Sequence, residues 1–394
     1  FSELNHLRTT TLRLSKLFLP LLSLFDRRQR MQPTTALIVD CGSGFTRATV
    51  FSRDARGRIC ACEAHEHAGL DEAWRERRVV DALVEGGAAL RDWAASIQAL
   101  VDATGCTRAV VGTTGGLRQA VADGLVTPAM EAALVALLSE MAPSATVRIL
   151  SGEDEARAEL AAVQYVAAAT LPSGAARPVG MLSGGGMSCQ VGWQERGCNE
   201  PSYLSVTAAL NPHSHALRAK CGVKGDTDAA RAARTSARRE ALDAFQASLA
   251  KQVEATGRRG RLSGTFCCVE MLGSLGSTDD YAGSFAGGLA EAIGSRLVTK
   301  QVLVAALDAH LQRWQAEGAP MEHRYNEAYA GLLTLTLTLT YNEAYAGLLA
   351  AELLGLLALC NEEATFYVQR AFEVAPGESL KPSWSLGVVI QDGM

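Results

Sequence analysis

Two glycine-rich turns, each set between short apolar strands and lying about 140 residues apart, limit what this chain can fold into more than any other feature. Residues 36–39 (ALIV) run into Asp40, Cys41, Gly42, Ser43, Gly44, Phe45, Thr46 and Arg47, and the apolar pattern resumes at 48–51 (ATVF). Strand, tight Gly/Ser turn and strand predict a hairpin. Glycines there permit positive φ and let backbone N–H groups approach an anion closely. Residues 178–182 (PVGML) lead in the same way into Ser183, Gly184, Gly185, Gly186, Met187, Ser188, Cys189 and Gln190, followed by Val191, Gly192 and Trp193. Two such hairpins predict a duplicated fold in which each lobe offers one loop and a polyphosphate lies in the cleft between them. Asp40, at the end of a buried strand, stands where a metal or its water shell can sit.

Two further segments fit that plan. Residues 108–111 (RAVV) read as a strand, and Gly112, Thr113, Thr114, Gly115, Gly116, Leu117 and Arg118 then open a helix. Small and hydroxyl residues at a strand end before a helix N-terminus make another anion-facing turn. Residues 147–150 (VRIL) run into Ser151, Gly152, Glu153, Asp154, Glu155, Ala156 and Arg157. Ser151 is an N-cap with Asp154 at capping-box distance. Asp154 is read as structural, and one of the two glutamates as chemical.

In this order the motifs resemble those of the apyrase-type nucleoside phosphatases, within the actin/hexokinase/heat-shock ATPase superfamily. Residues 40–47 (DCGSGFTR) are similar to the first family signature, D-x-G-S-x-x-T-R, and 112–118 (GTTGGLR) to the second, G-A-T-A-G-x-R. Residues 151–155 (SGEDE) resemble the third, S-G-x-E-E, although its usual following Gly is Ala156. Residues 183–190 resemble the fourth, D-x-G-G-x-S-x-Q, and 383–387 (SWSLG) the fifth, S-W-x-L-G. The likeness runs from residue 37 to about 390. A sister family, the exopolyphosphatases and guanosine pentaphosphatases, shares the first four motifs, and residues 155–157 (EAR) resemble its E-E-A-R. Gln190, where the sister family usually has Glu, and the terminal S-W-x-L-G favour the apyrase side.

The resemblance implies an α/β fold of two actin-like (ribonuclease-H-like) lobes with an active-site cleft between them. The activity implied is hydrolysis of the terminal phosphate of nucleoside di- or triphosphates by metal-assisted water attack. Glu155 is then the general base, with Ser188 and Gln190 holding the water. Ser43, Gly44, Thr46, Arg47, Gly185 and Gly186 cradle phosphate, and Thr114 and Arg118 line the turn beside the metal and phosphates. Asp40 holds Mg²⁺ or Ca²⁺ through its waters. The family's Asp opening the fourth motif is Ser183 here, which carries no negative charge. Either the metal is held more weakly, another acid substitutes, or hydrolysis is lost and the chain is a nucleotide-binding relic. Exopolyphosphatase-like hydrolysis stays as the alternative chemistry.

The chain has 394 residues, which favours two to three domains or two lobes. At 48% hydrophobic and 20% charged it is globular in composition, not disordered. A net charge of −5 argues against reading nucleic-acid phosphates. There is no run of 18 apolar residues of the kind that spans a bilayer. The ten cysteines include no C-x-x-C pair, so buried free thiols are expected. Residues 1–34 read as a leader or targeting extension, 35–146 as lobe I and 147–394 as lobe II, its C-terminal part packing near lobe I. Residues 1–30 carry +4, leaving −9 for the remainder, and 17–25 (LFLPLLSLF) match a signal-peptide core in length. Translated leader sequence ahead of Met31 is the equal alternative. Membrane attachment stays open, with a lean toward the secretory pathway from the family. Within a duplicated insert at 325–349, YNEAYAGLL occurs twice, sixteen residues apart, around TLTLTLT, which reads as a bulge, loop or disordered stretch. His65, His67, His213 and His215 are read as solvated, Arg231, Arg234, Arg238 and Arg239 as a solvated helix face, Cys267 and Cys268 as core, and Trp384 as structural.

Overall fold

The computed structural model describes residues 34–72, 74–184, 187–195, 197–207, 227–269, 296–316, 347–368, 372–375 and 378–393. The expected leader but for its last residue, His213 and His215, Gly185 and Gly186, and all of the 325–349 insert but its last three residues lie outside them.

The first lobe contains β1 (Ala36–Cys41), β2 (Thr46–Arg53), β3 (Ile59–Glu63), α1 (Ala64–Ala68), β4 (Arg75–Glu76), α2 (Val79–Glu85), α3 (Gly87–Thr104), β5 (Arg108–Thr113), α4 (Gly115–Ala122), α5 (Pro128–Met141) and β6 (Ala145–Ile149). Its sheet has the order β3-β2-β1-β5-β6, with β4 on β2. Pairing across β3-β2-β1 is antiparallel and across β1-β5-β6 parallel. β1 is buried throughout because it is central in the sheet and covered on both faces. Alternate residues serve different cores, as strand geometry requires: Leu37, Val39 and Cys41 face one, Ala36 and Ile38 the other.

After α6 (Gly152–Thr170) the same pattern returns in β7 (Gly180–Gly184), β8 (Cys189–Trp193), β9 (Ser202–Val206), α7 (Asp228–Ala255), β10 (Thr265–Val269), β11 (Leu297–Thr299), α8 (Lys300–Ala316), α9 (347–357) and β12 (Thr365–Tyr367). The second sheet has the order β11-β12-β10-β7-β8-β9. β7, β8, β9, β10 and β12 repeat β1, β2, β3, β5 and β6 in pairing direction, and β11 adds an antiparallel edge. The chain closes with the ribbon β13 (Phe372–Ala375) and β14 (Glu378–Leu380), then α10 (Trp384–Gln391).

One core lies in each lobe, and a third joins them. The joining core is built on Ala156, Leu160 and Val163 of α6 and Leu386 and Val389 of α10, against Ile38 and Val110 of lobe I and Met181 and Cys267 of lobe II. α10 lies so close to α6 that a Cβ on Gly387 would fall on the Ala158 carbonyl. Trp384 is buried and its ring fills the space above Gly112. Asp392 clamps the C-terminus to lobe I through Arg108 and Arg148. Cys267 and Cys268 are core residues on opposite faces of β10. His65 and His67 sit on the short helix α1 rather than in a loop, and Arg238 is buried rather than on a solvated face. Among the described residues no helix is long and apolar enough to cross a membrane.

Candidate active site

The site is assembled where four chain turns meet. Ser151 caps α6 as the sequence predicts: its Oγ accepts from the Asp154 N–H at 3.1 Å and the Asp154 carboxylate accepts from the Ser151 N–H at 3.3 Å. Such a cap stabilises a helix start by ~1 kcal/mol and sets the direction in which its first turn points. Glu155, one residue on, is buried, whereas Glu153 is exposed.

Glu155 is held from two elements. Arg118 Nη2 of α4 donates to its Oε2 at 2.9 Å, and Gln190 Nε2 of β8 donates to the same oxygen at 3.3 Å. The same Arg118 nitrogen lies 2.9 Å from Ser188 Oγ, which also accepts from Gln190 Nε2 at 2.7 Å. Arg118 Nη1 is fixed on the Leu150 carbonyl at 2.8 Å. Residues from sequence positions 118, 155, 188 and 190 thus form one hydrogen-bonded cluster with both lobes represented.

The vicinal glycines of α4 make this approach possible. A Cβ on Gly115 would stand 2.8 Å from Ser188 Oγ, and one on Gly116 2.8 Å from Ser43 Cα. One glycine therefore receives the hairpin tip of lobe II and its neighbour the tip of lobe I. Thr114, just before them, is buried at the N-cap position of α4. The first hairpin does not use its glycines for positive φ. Neither Gly42 nor Gly44 has positive φ, and Gly44 faces open space.

Asp40 is 6% exposed at the penultimate position of β1. Its Oδ2 accepts from Arg47 Nε at 2.9 Å and from Arg47 Nη2 at 2.9 Å, while Oδ1 is buried with no hydrogen-bond partner. Thr113 Oγ1, on the adjacent strand, is buried and unpartnered as well. Buried acceptors of this kind want donors, and the waters around a hydrated divalent cation are donors, so the residues present fit such a group. Among the described residues no three His, Cys, Asp or Glu side chains are grouped as direct ligands. Arg47, expected at the phosphates, is paired with Asp40 through both nitrogens while its side chain stays partly exposed. Thr46 is fully buried and its hydroxyl donates to the Arg77 carbonyl at 3.0 Å, so it supports the loop from behind.

Ser183 is 1% exposed, and its Oγ donates to Glu159 Oε1 at 2.9 Å. Glu159 was not singled out from the sequence. The available signal is its spacing, one turn beyond Glu155 on the face of α6 that is otherwise apolar. Behind β8, Cys189 Sγ donates to Glu352 Oε1 at 2.8 Å, and Glu352 is fully buried. Burial pushes the Glu352 carboxyl well above the ordinary glutamate range.

The duplicated sheet, the paired hairpins and the helix between the lobes define an actin-like α/β fold of two lobes. No family model and no curated protein sequence matches the chain. Among solved structures it is similar to a member of the Ppx/GppA protein family from Aquifex aeolicus, at 12% identity and a TM-score of 0.53, over 91% of this chain and 97% of that one. It is also similar to the nucleoside triphosphate hydrolases of Neospora caninum, at 11% identity and a TM-score of 0.54, over 95% of this chain and 96% of that one. At such identities the likeness is one of fold.

Proposed function

We propose that this protein is a divalent-cation-dependent phosphohydrolase that releases the terminal phosphate of nucleoside di- and triphosphates. The observation that carries this reading is the Glu155 cluster. A buried carboxylate, oriented by Arg118 and Gln190 and flanked by the Ser188 hydroxyl, stands beside the glycine pair that receives both hairpin tips. Glu155 takes the proton of the attacking water, and Ser188 and Gln190 hold that water in line. Backbone N–H groups of the loops at Ser43, Gly44, Gly185 and Gly186, with those opening α4 after Thr114, receive phosphate oxygens. Asp40 holds Mg²⁺ or Ca²⁺ through water, and the bound cation neutralises phosphate charge. Phosphoryl transfer needs mostly positioning and charge neutralisation, which these residues supply.

A second reading is hydrolysis of polyphosphate or guanosine polyphosphates. The fold likeness to a Ppx/GppA family member supports it as well as the other likeness supports the first. Gln190 and the S-W-x-L-G segment favour nucleotides. A panel of ATP, ADP, GDP, UDP and polyphosphate, each with Mg²⁺, Ca²⁺ or EDTA, separates them by phosphate release. Release from nucleotides that EDTA abolishes is the expected result. Release from polyphosphate alone establishes the second reading, and no metal-dependent release from any substrate rules out hydrolysis.

A further inference from the structure

We propose that Ser183 and Glu159 act together in lobe II as Asp40 does in lobe I, and that the two sides hold one hydrated divalent cation between the hairpins. The use of that cation rests on the phosphohydrolase reading; its binding does not. The argument starts from the internal duplication. In the first hairpin Asp40 pairs with Arg47, and Cys41 with Thr46 closes the loop 42–45. In the second, Ser183 pairs with Gln190, and Gly184 with Cys189 closes the loop 185–188. β1 is flanked on its other side by parallel β5 as β7 is by parallel β10. Position 183 is therefore the structural equivalent of position 40, and both loops end on the same glycine pair, Gly115 and Gly116.

A serine hydroxyl has one proton and two acceptor lone pairs. Ser183 commits its proton to Glu159 Oε1. What remains on Oγ is acceptor character only, which is how a carboxylate oxygen meets the water shell of a cation. One hydrogen bond further back stands the carboxyl group of Glu159, which is 2% exposed and in the proposed site carries the negative charge once the cation is bound. Glu159 is thus a positioning residue acting through Ser183. The lobe I side points independently to a ligand, because Asp40 is more than nine-tenths buried and its Oδ1 lacks any donor.

The pair differs from a single carboxylate in needing both members, and this makes it testable without any turnover. Mn²⁺ binding to the full chain, free of nucleotide, is read from the loss of the free-ion EPR signal, with thermal unfolding as the fold control. Glu159→Gln keeps an acceptor for Ser183 but removes the charge, and Mn²⁺ affinity should fall by ~10-fold or more. Ser183→Asp with Glu159 in place sets two carboxylates in contact and should bind no tighter than wild type. Ser183→Asp combined with Glu159→Gln gives one carboxylate with an amide donor behind it and should return toward wild type. Unchanged affinity in Glu159→Gln, or tighter binding in Ser183→Asp alone, overturns the proposal. So does a wild type that binds no Mn²⁺ at millimolar concentration. Should Glu159→Gln fail to fold, Ser183→Ala keeps the charge and removes the relay; wild-type affinity in that folded variant overturns the proposal equally. Mn²⁺ binding with this mutant pattern but no phosphate release from any substrate removes the hydrolase reading and leaves the cation site standing.

Discussion

Glu155 and Glu153 are separated by one residue, and the first turn of α6 sends them to opposite environments. Glu155 is buried against Arg118 and Gln190, whereas Glu153 is exposed. Glu155→Gln preserves the shape and removes the proton acceptor, so turnover should fall by ~10²-fold or more while nucleotide binding changes little. Glu153→Gln should be mild. Steady-state phosphate release and nucleotide titration check both, and equal effects would place the base elsewhere. Glu352 is a buried acid of another kind, without access to the cleft cluster. Its folded-state pKa is raised by burial, a shift that the Cys189 hydrogen bond only partly opposes. The unfolded chain therefore releases this proton first. The stability linked to the group is present in full below the ordinary glutamate range and is lost as pH rises toward the folded value, at about 1.4 kcal/mol per unit. Glu352→Gln should raise the unfolding temperature more at pH 8 than at pH 5. Equal shifts at the two pH values in thermal denaturation would show that this proton is not linked to folding.

At the scale of elements, α10 explains why the S-W-x-L-G segment has the residues it has. Gly387 lets α10 rest on the α6 backbone at Ala158, and Trp384 fills the space above Gly112 at the end of β5. α6 carries Glu155 and Glu159, so the fifth motif reaches the chemistry by holding this helix. Gly387→Ala sets a methyl group against main chain that cannot rotate away. The cost of forced overpacking is ~1–3 kcal/mol or more, and the unfolding temperature should fall by several degrees with activity falling beside it. Gly44→Ala is the control, because Gly44 has open space around it and no positive φ. It should leave stability unchanged. A thermal shift of the same size in both variants would contradict this account of α10.

Across the whole molecule the two sheets repeat one plan, and the sixteen-residue repeat stands outside it. Only Gly347, Leu348 and Leu349 of the second copy fall among the described residues, at the start of α9, where both leucines are buried in the lobe II core. Deleting residues 334–349 joins the first copy to Ala350 and regenerates the same nine residues, YNEAYAGLL, ahead of Ala350. The shortened chain should be soluble, with cooperative unfolding near the wild-type temperature. Loss of a cooperative transition in calorimetry would show that the second copy is needed for folding.

The two hairpins, the capping box at Ser151 and the buried strands were legible in the chain itself, because turn chemistry, caps and apolar runs are local properties set by neighbouring residues. The two-lobed fold was legible through the family resemblance that the order of the motifs carries. Other features depend on residues far apart in sequence and only the tertiary structure decided them. Thr46 carries the motif's hydroxyl yet turns it to the Arg77 carbonyl, because β2 lies against the segment that holds Arg77. Arg118 meets Glu155 and Ser188 across 37 and 70 residues, since α4 and both hairpin tips converge on one glycine pair. Ser183 alone reads as a lost charge. Its hydrogen-bond partner, the carboxyl group of Glu159, lies twenty-four residues earlier and becomes visible only where α6 crosses β7, since a hydrogen bond depends on distance in space and not on separation along the chain.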